Sequence, residues 1–168
     1  MSRCKRMAAL IVTLGLLAAI AGGEVKFKKI VVDTEFRSEG VATGDVNHDG
    51  KLDIFAGDMW YEAPNYKPHA LHAIRKLNPS TGYSKCFANF SDDVNGDGWI
   101  DSIVVVGWNN CPAVWLENPQ GKPGFWKEHL FTKSAGNETP LYGDLLGDGK
   151  PVAIFSARGK VSWYAPPR

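Results

Sequence analysis

Only three cysteines occur in 168 residues, so no disulfide framework organises this chain. Neither sign of charge prevails, with 19 Lys and Arg against 18 Asp and Glu. That balance excludes a polybasic nucleic-acid binder and an acidic tail protein. Past residue 21 there is no apolar run approaching the ~20 residues of a membrane-spanning helix. Nor does any stretch of about 12 residues beyond residue 23 keep a 3.6-residue apolar period, which excludes long amphipathic helices. G-x-S-x-G, H-E-x-x-H, P-loop and G-x-G-x-x-G patterns are all missing, so no residue constellation argues for catalysis. The chain does hold 18 glycines and 10 prolines, enough to punctuate many short strands. Six tryptophans and 11% aromatic residues supply apolar surface for a core.

Arg3, Lys5 and Arg6 precede an uncharged apolar run over residues 7–21 that ends in Ala19-Ile20-Ala21. A charged start, a short apolar middle and a small-residue exit read as a secretory signal peptide over residues 1–23, with an uncleaved anchor as the alternative. Cys4 lies before the run, so a lipoprotein attachment is not supported. The expected location is therefore secreted, periplasmic or extracellular. The remainder, 24–168, carries 16 basic and 18 acidic side chains, a net charge of −2. Cys86 and Cys111 remain in it. Export permits a disulfide between them, and two free buried thiols are the other reading.

Residues 24–168 are organised by a repeat. Gly44-Asp45-Val46-Asn47-His48-Asp49-Gly50-Lys51-Leu52-Asp53 matches Asp92-Asp93-Val94-Asn95-Gly96-Asp97-Gly98-Trp99-Ile100-Asp101 and, more loosely, Gly143-Asp144-Leu145-Leu146-Gly147-Asp148-Gly149-Lys150-Pro151-Val152. The leading aspartates are 48 and 51 residues apart. A Trp-bearing segment follows each loop: Trp60-Tyr61-Glu62-Ala63-Pro64, Trp115-Leu116-Glu117-Asn118-Pro119 and Trp163-Tyr164-Ala165-Pro166-Pro167. A third landmark, Phe27-Lys28-Lys29-Ile30-Val31-Val32 or Trp126-Lys127-Glu128-His129-Leu130-Phe131, begins 18 residues before its aspartate. β-branched runs bounded by Gly, Asn, Asp or Pro mark the segments as strands. Four antiparallel strands every 40–50 residues predict an all-β chain of propeller blades, with a solenoid as the alternative. Residues 26–33 are expected to be a lone fourth-type strand, and 66–83 an irregular connection.

The loops carry the chemistry. In 45–53, Asp45, Asn47, Asp49 and Asp53 occupy positions 1, 3, 5 and 9, Gly50 allows a tight turn, and the Lys51 carbonyl adds an oxygen at position 7. Loop 93–101 repeats this with Asp93, Asn95, Asp97 and Asp101, glycine at Gly98 and the carbonyl of Trp99. Hard oxygen donors at alternate positions are how a loop gathers Ca²⁺. Ala56 and Val104 stand where an EF-hand needs its Glu, so the pattern is of a β type. An Asp/Asn turn closed by its own side-chain bonds is the alternative. Loop 144–152 is degenerate: Leu146 and Val152 replace two oxygen donors, which leaves a plain turn.

On these loops the chain resembles the FG-GAP/VCBS repeat family, found also in integrin α-chains and in many secreted bacterial proteins. The resemblance implies a secreted, calcium-stabilised β-propeller and assigns Ca²⁺ to both intact loops. It implies a binding or structural module for a protein or carbohydrate ligand, the alternative being a non-catalytic or truncated part of a carbohydrate-active enzyme. About three repeats are too few for a ring of four to eight blades. A fragment of a longer propeller, a ring completed by self-association and an open stack all remain.

The other candidates are bounded more loosely. Trp60, Trp115 and Trp163 recur at one repeat position and are expected to pack between blades, whereas Trp108 is the better surface contact. His69 and His72 sit close in sequence, with loop histidines the commoner reading than a metal pair, and His48 is expected to face solvent. Asn89-Phe90-Ser91 and Asn137-Glu138-Thr139 match glycosylation sequons.

Overall fold

The computed structural model describes residues 25–136 and 138–165, so the expected signal peptide and Asn137 lie outside the described residues. The chain divides into a unit Met1–Ile30 and a unit Val31–Arg168. In the first, residues 25–30 are exposed and hold no strand. The second contains β1 (Val41–Gly44), β2 (Asp53–Ala56), β3 (Met59–Glu62), β4 (Lys67–Ala70), β5 (Ala88–Asp92), β6 (Asp101–Val105), β7 (Ala113–Glu117), β8 (Lys127–Thr132), β9 (Leu141–Gly143), β10 (Val152–Ala157) and β11 (Lys160–Tyr164). No helix occurs among the described residues.

These strands form three antiparallel meanders: β1-β2-β3-β4, β5-β6-β7-β8 and β9-β10-β11. Each acidic loop joins the first strand of its sheet to the second. The register repeats as well, with Phe55 opposite Trp60, Ile103 opposite Trp115 and Ile154 opposite Trp163. The all-β expectation holds, with three sheets of three or four strands and no closed ring among the described residues.

Two cores cement the sheets face to face. Phe55 and Leu71 of the first sheet region pack with Val104, Val114 and Leu116 of the second. Trp126 closes this core edge-on to Phe55, with ring centroids 5.8 Å apart. On the other face, Val105 and Ala113 pack with Ala153 and Phe155 of the third sheet. Val104 and Val105 are neighbours in β6 yet serve opposite cores, because successive strand residues point to opposite faces. This explains why every residue of β6 is buried. The sheets approach so closely at Gly40 that a Cβ there would stand 2.5 Å from the Ala88 Cα.

Three expectations need correction. Residues 26–33 form no strand, since an extended segment becomes one only by pairing and no edge pairs with it among the described residues. Residues 66–83 are not wholly irregular, because β4 opens that stretch and Leu71 after it is fully buried. Its Tyr66-Lys67-Pro68-His69 start echoes Trp126-Lys127-Glu128-His129 at β8, a signal hidden by Pro68, which an edge strand tolerates. Asn89, in the first sequon, is buried: its amide donates to Cys86 Sγ at 3.2 Å and its carbonyl oxygen accepts from Ser102 Oγ at 3.3 Å. Of the two cysteine readings, the thiols are free. Cys86 turns into the core between the first and second sheets, while the Cys111 carbonyl accepts from Ala135 on the way to the third. Burial pushes the Cys86 thiol up to about 11.

Asp33 ties the entry of the second unit to the first sheet. It accepts the Tyr61 hydroxyl at 2.5 Å, the Arg37 Nε at 2.8 Å and the Glu35 N–H at 2.9 Å. Burial raises its pKa, but the Tyr61, Glu35 and Arg37 bonds outweigh that and hold it at about 2. A carboxyl depressed in the fold stabilises it above the unfolded value of 3.8, and the contribution is lost as pH falls toward 2. About 2 kcal/mol of stability should disappear over that acid window. Denaturant titrations between pH 5 and 2 should show the loss in the native chain and a shallower slope in Asp33→Asn.

Candidate functional site

Both intact loops fold by one hydrogen-bond plan. In the first, Asp45 accepts the N–H groups of Asp49 and Gly50 at 3.0 Å each. Asn47 Oδ1 also accepts from Asp49 N–H, and Asp49 Oδ1 accepts from Lys51 N–H at 2.9 Å. In the second, Asp93 accepts from Asp97 and Gly98, Asn95 Oδ1 from Asp97, and Asp97 Oδ1 from Trp99. Gly50 and Gly98, at φ of 81° and 90°, take the left-handed turn that an L side chain resists.

The position-9 carboxylates differ from the rest in being fully buried. Asp53 accepts from Val46 N–H at 3.0 Å and from Ala63 N–H at 2.8 Å. Asp101 accepts from Val94 N–H and Asn118 N–H at the same distances. Each therefore ties the second residue of its loop to the chain just past the Trp strand. Burial is the main cause raising both carboxyls, with Asp49 and Asp45 pressing on Asp53, and Asp97 and Asp93 on Asp101. Asp101 reaches about 6. Asp49 is held low chiefly by the Lys51 ammonium, 2.7 Å away.

The third loop keeps only part of this plan. Asp144 accepts from Gly147, Asp148 and Gly149, and Asp148 from Lys150. At positions 3 and 9, Leu146 is exposed and Val152 is packed in the interior.

The donor types in the two intact loops fit a hard cation: three carboxylates, one amide oxygen and one backbone carbonyl each. Among the described residues, however, no group of three or more His, Cys, Asp or Glu converges to hold a metal ion. As folded here, Asp45 and Asp93 accept bonds from backbone N–H groups of their own loops.

Two features escaped sequence reasoning. His48 is exposed but engaged: its ring stacks on Trp99 of the second loop at 4.0 Å, and its Nε2 lies 2.9 Å from the Gly98 carbonyl. The two loops thus touch. A Trp–His–Glu cluster also recurs on adjacent strands. His69 stacks on Trp60 at 4.2 Å and bonds Glu62 at 2.7 Å, and His129 does the same with Trp115 and Glu117 at equal distances. The paired spacings Trp-x-Glu and Lys-x-His carried this signal in the sequence. His72 has a different partner, Asp58 at 3.3 Å, so His69 and His72 do not form a pair. Asn47, Trp60, Glu62, His69, Lys122 and Trp126 line a cleft of about 440 Å³ beside the first loop. Trp108 is exposed, as expected of a surface residue, and lies near Tyr83.

Replacing Asp101 with alanine strands two buried N–H groups and should cost about 2–4 kcal/mol. Asp144→Ala frees only exposed N–H groups and should cost well under half as much. Urea unfolding at pH 7 in chelator measures both.

Comparison with curated proteins and comparison with solved structures each found no match. A family model, FG-GAP-like repeat, matches residues 93–155. That stretch starts on the leading aspartate of the second loop and ends in β10, so it takes in one whole repeat and the start of the next. Over residues 93–155, which include the second acidic loop, the chain is therefore similar to an FG-GAP-like repeat, consistent with the resemblance read from the sequence.

Proposed function

We propose that this chain is a secreted, calcium-binding module whose sheets are propeller blades, acting by binding a protein or carbohydrate rather than by catalysis. The observation that carries the reading is the identical construction of loops 45–53 and 93–101. Two loops of different sequence place the same donors at the same positions and bury the same carboxylate. Asp45, Asn47, Asp49, the Lys51 carbonyl and Asp53 would hold one Ca²⁺; Asp93, Asn95, Asp97, the Trp99 carbonyl and Asp101 would hold the other. A bound dication supplies the positive charge that offsets crowding among the three carboxylates of each loop. The protein's part is to fix the loop at both ends, through the position-9 carboxylate below and the left-handed glycine above. Stiffened loops on neighbouring sheets, joined by His48 and Trp99, give a ligand a preformed surface beside the cleft at Trp60 and His69.

Thermal melting tests the reading. A ligand at about 100 times its dissociation constant adds roughly 2.7 kcal/mol per site. Millimolar Ca²⁺ should therefore raise the melting temperature by about 5–15 °C over chelator for a domain of this size. Asp93→Ala should remove about half of that difference, and Asp144→Ala none of it. Equal melting temperatures with Ca²⁺ and with chelator would sink the assignment.

A further inference from the structure

The second sheet borders a cavity of about 520 Å³ at the end remote from its acidic loop. Strand β6 leaves that loop at Asp101, and the cavity meets the chain at Val104 and Val106, where the strand ends. One wall is apolar, made by Val104, Val106, Pro112, Val114 and Leu116 of the second sheet and its β6–β7 turn. The other comes from the connection that follows the first sheet and carries His72, Arg75 and Lys85. Glu128 is the one acid in the lining.

Arg75 is held in place from the interior. Its Nε donates to both oxygens of Asp58, at 3.0 and 3.2 Å, its Nη2 donates to Oδ1, and its backbone N–H donates to Oδ2 at 2.7 Å. Asp58 is buried, and His72 Nε2 lies 3.3 Å from the same carboxylate. A guanidinium has five N–H donors, and this pairing engages its Nε and Nη2 edge. Among the described residues Nη1 donates to no protein group. The edge formed by Nη1 and the second Nη2 hydrogen therefore has the fork geometry for one further carboxylate.

The space is a property of this pair of sheets. The corresponding gap between the second and third sheets is smaller, about 340 Å³. By repeat position Phe155 stands there in the place of Val104 and Tyr164 in the place of Leu116, with their rings 5.7 Å apart. Smaller side chains leave open in the first gap what two rings occupy in the second.

We propose that this cavity binds a small free carboxylic acid with an apolar body, its carboxylate on the Nη1–Nη2 edge of Arg75 and its body against Val104, Val114 and Leu116. Cavities of this size hold small organic molecules, and an apolar wall with a few fixed polar groups is their usual construction. The charge count selects a monoanion. Asp58 offsets Arg75 and Glu128 offsets Lys85, which leaves directional donors but no surplus charge for a phosphate dianion.

Isothermal titration calorimetry with octanoate tests the site, at two temperatures because apolar burial gives binding a heat-capacity change. Octanoate should bind one to one with a Kd below about 1 mM. Each methylene added between butanoate and octanoate should tighten binding about fourfold. Octanol and octyl phosphate should bind at least roughly tenfold more weakly than octanoate. Arg75→Lys keeps a cation on Asp58 but removes the fork, and should weaken octanoate roughly tenfold or more. Val104→Phe installs the residue that the third sheet uses at this position and should abolish binding by filling the cavity. Circular dichroism verifies the folding of both variants, and the ligand series needs neither. Absence of octanoate binding, equal affinity for octanol or octyl phosphate, or undiminished binding in a folded Arg75→Lys or Val104→Phe chain would each overturn the proposal. Run in chelator, the measurement stands or falls independently of the metal reading.

Discussion

A buried carboxylate with two backbone N–H groups on it is the interaction on which the first two repeats depend. Asp53 and Asp101 start the second strand of their sheets and sit beneath the acidic loops. One oxygen fixes the loop at Val46 or Val94, and the other fixes the chain past the third strand at Ala63 or Asn118. A single side chain thereby sets the height of the loop and the end of the Trp strand. Asn118 extends the tie between sheets, since its amide donates to the carbonyls of Ile100 in its own repeat and Val46 in the preceding one, each at 3.0 Å. The loops are thus coupled from below by Asn118 and from above by the His48–Trp99 stack.

The second sheet is the structural spine. Its strand β6 is buried on both faces, and residues one apart feed separate cores. The first and third sheets each have one covered face, and apolar residues on their outlying parts, such as Val41, Leu141 and Val161, stay exposed. Order in this architecture is therefore strongest in the middle repeat and depends toward either side on a single neighbour, as in other stacked repeats.

Much of this was legible in the sequence because it is local. The acidic loops announce themselves by oxygen donors at alternate positions and a glycine at the turn, and the strands by β-branched runs between turn residues. The misread parts depend on partners distant in the chain. Pro68 disguised β4, whose existence depends on pairing with β3 rather than on its own propensity. Residues 26–33 have strand composition yet form no strand among the described residues, because composition alone does not supply a pairing edge. His48 is exposed, as its place in a loop implies, but its stack on Trp99 depends on the next repeat. The Trp–His–Glu clusters lie across strands, a relation that becomes visible only once the register is known. In the acidic loops both the oxygen donors and their side-chain bonds to backbone N–H groups follow from Asp and Asn at alternate positions, which is why these loops are legible.

The burial of Asn89 has a consequence for how the chain is made. Its amide nitrogen is committed to Cys86 Sγ and its oxygen to Ser102, inside the contact between sheets. Oligosaccharide transfer requires that nitrogen to be accessible, and the attached sugar is bulky and soluble. Modification at Asn89 and completion of the second sheet are therefore mutually exclusive events on one molecule. In a secretory pathway equipped for N-glycosylation the two become competing reactions, and whichever reaches Asn89 first decides the fate of that chain.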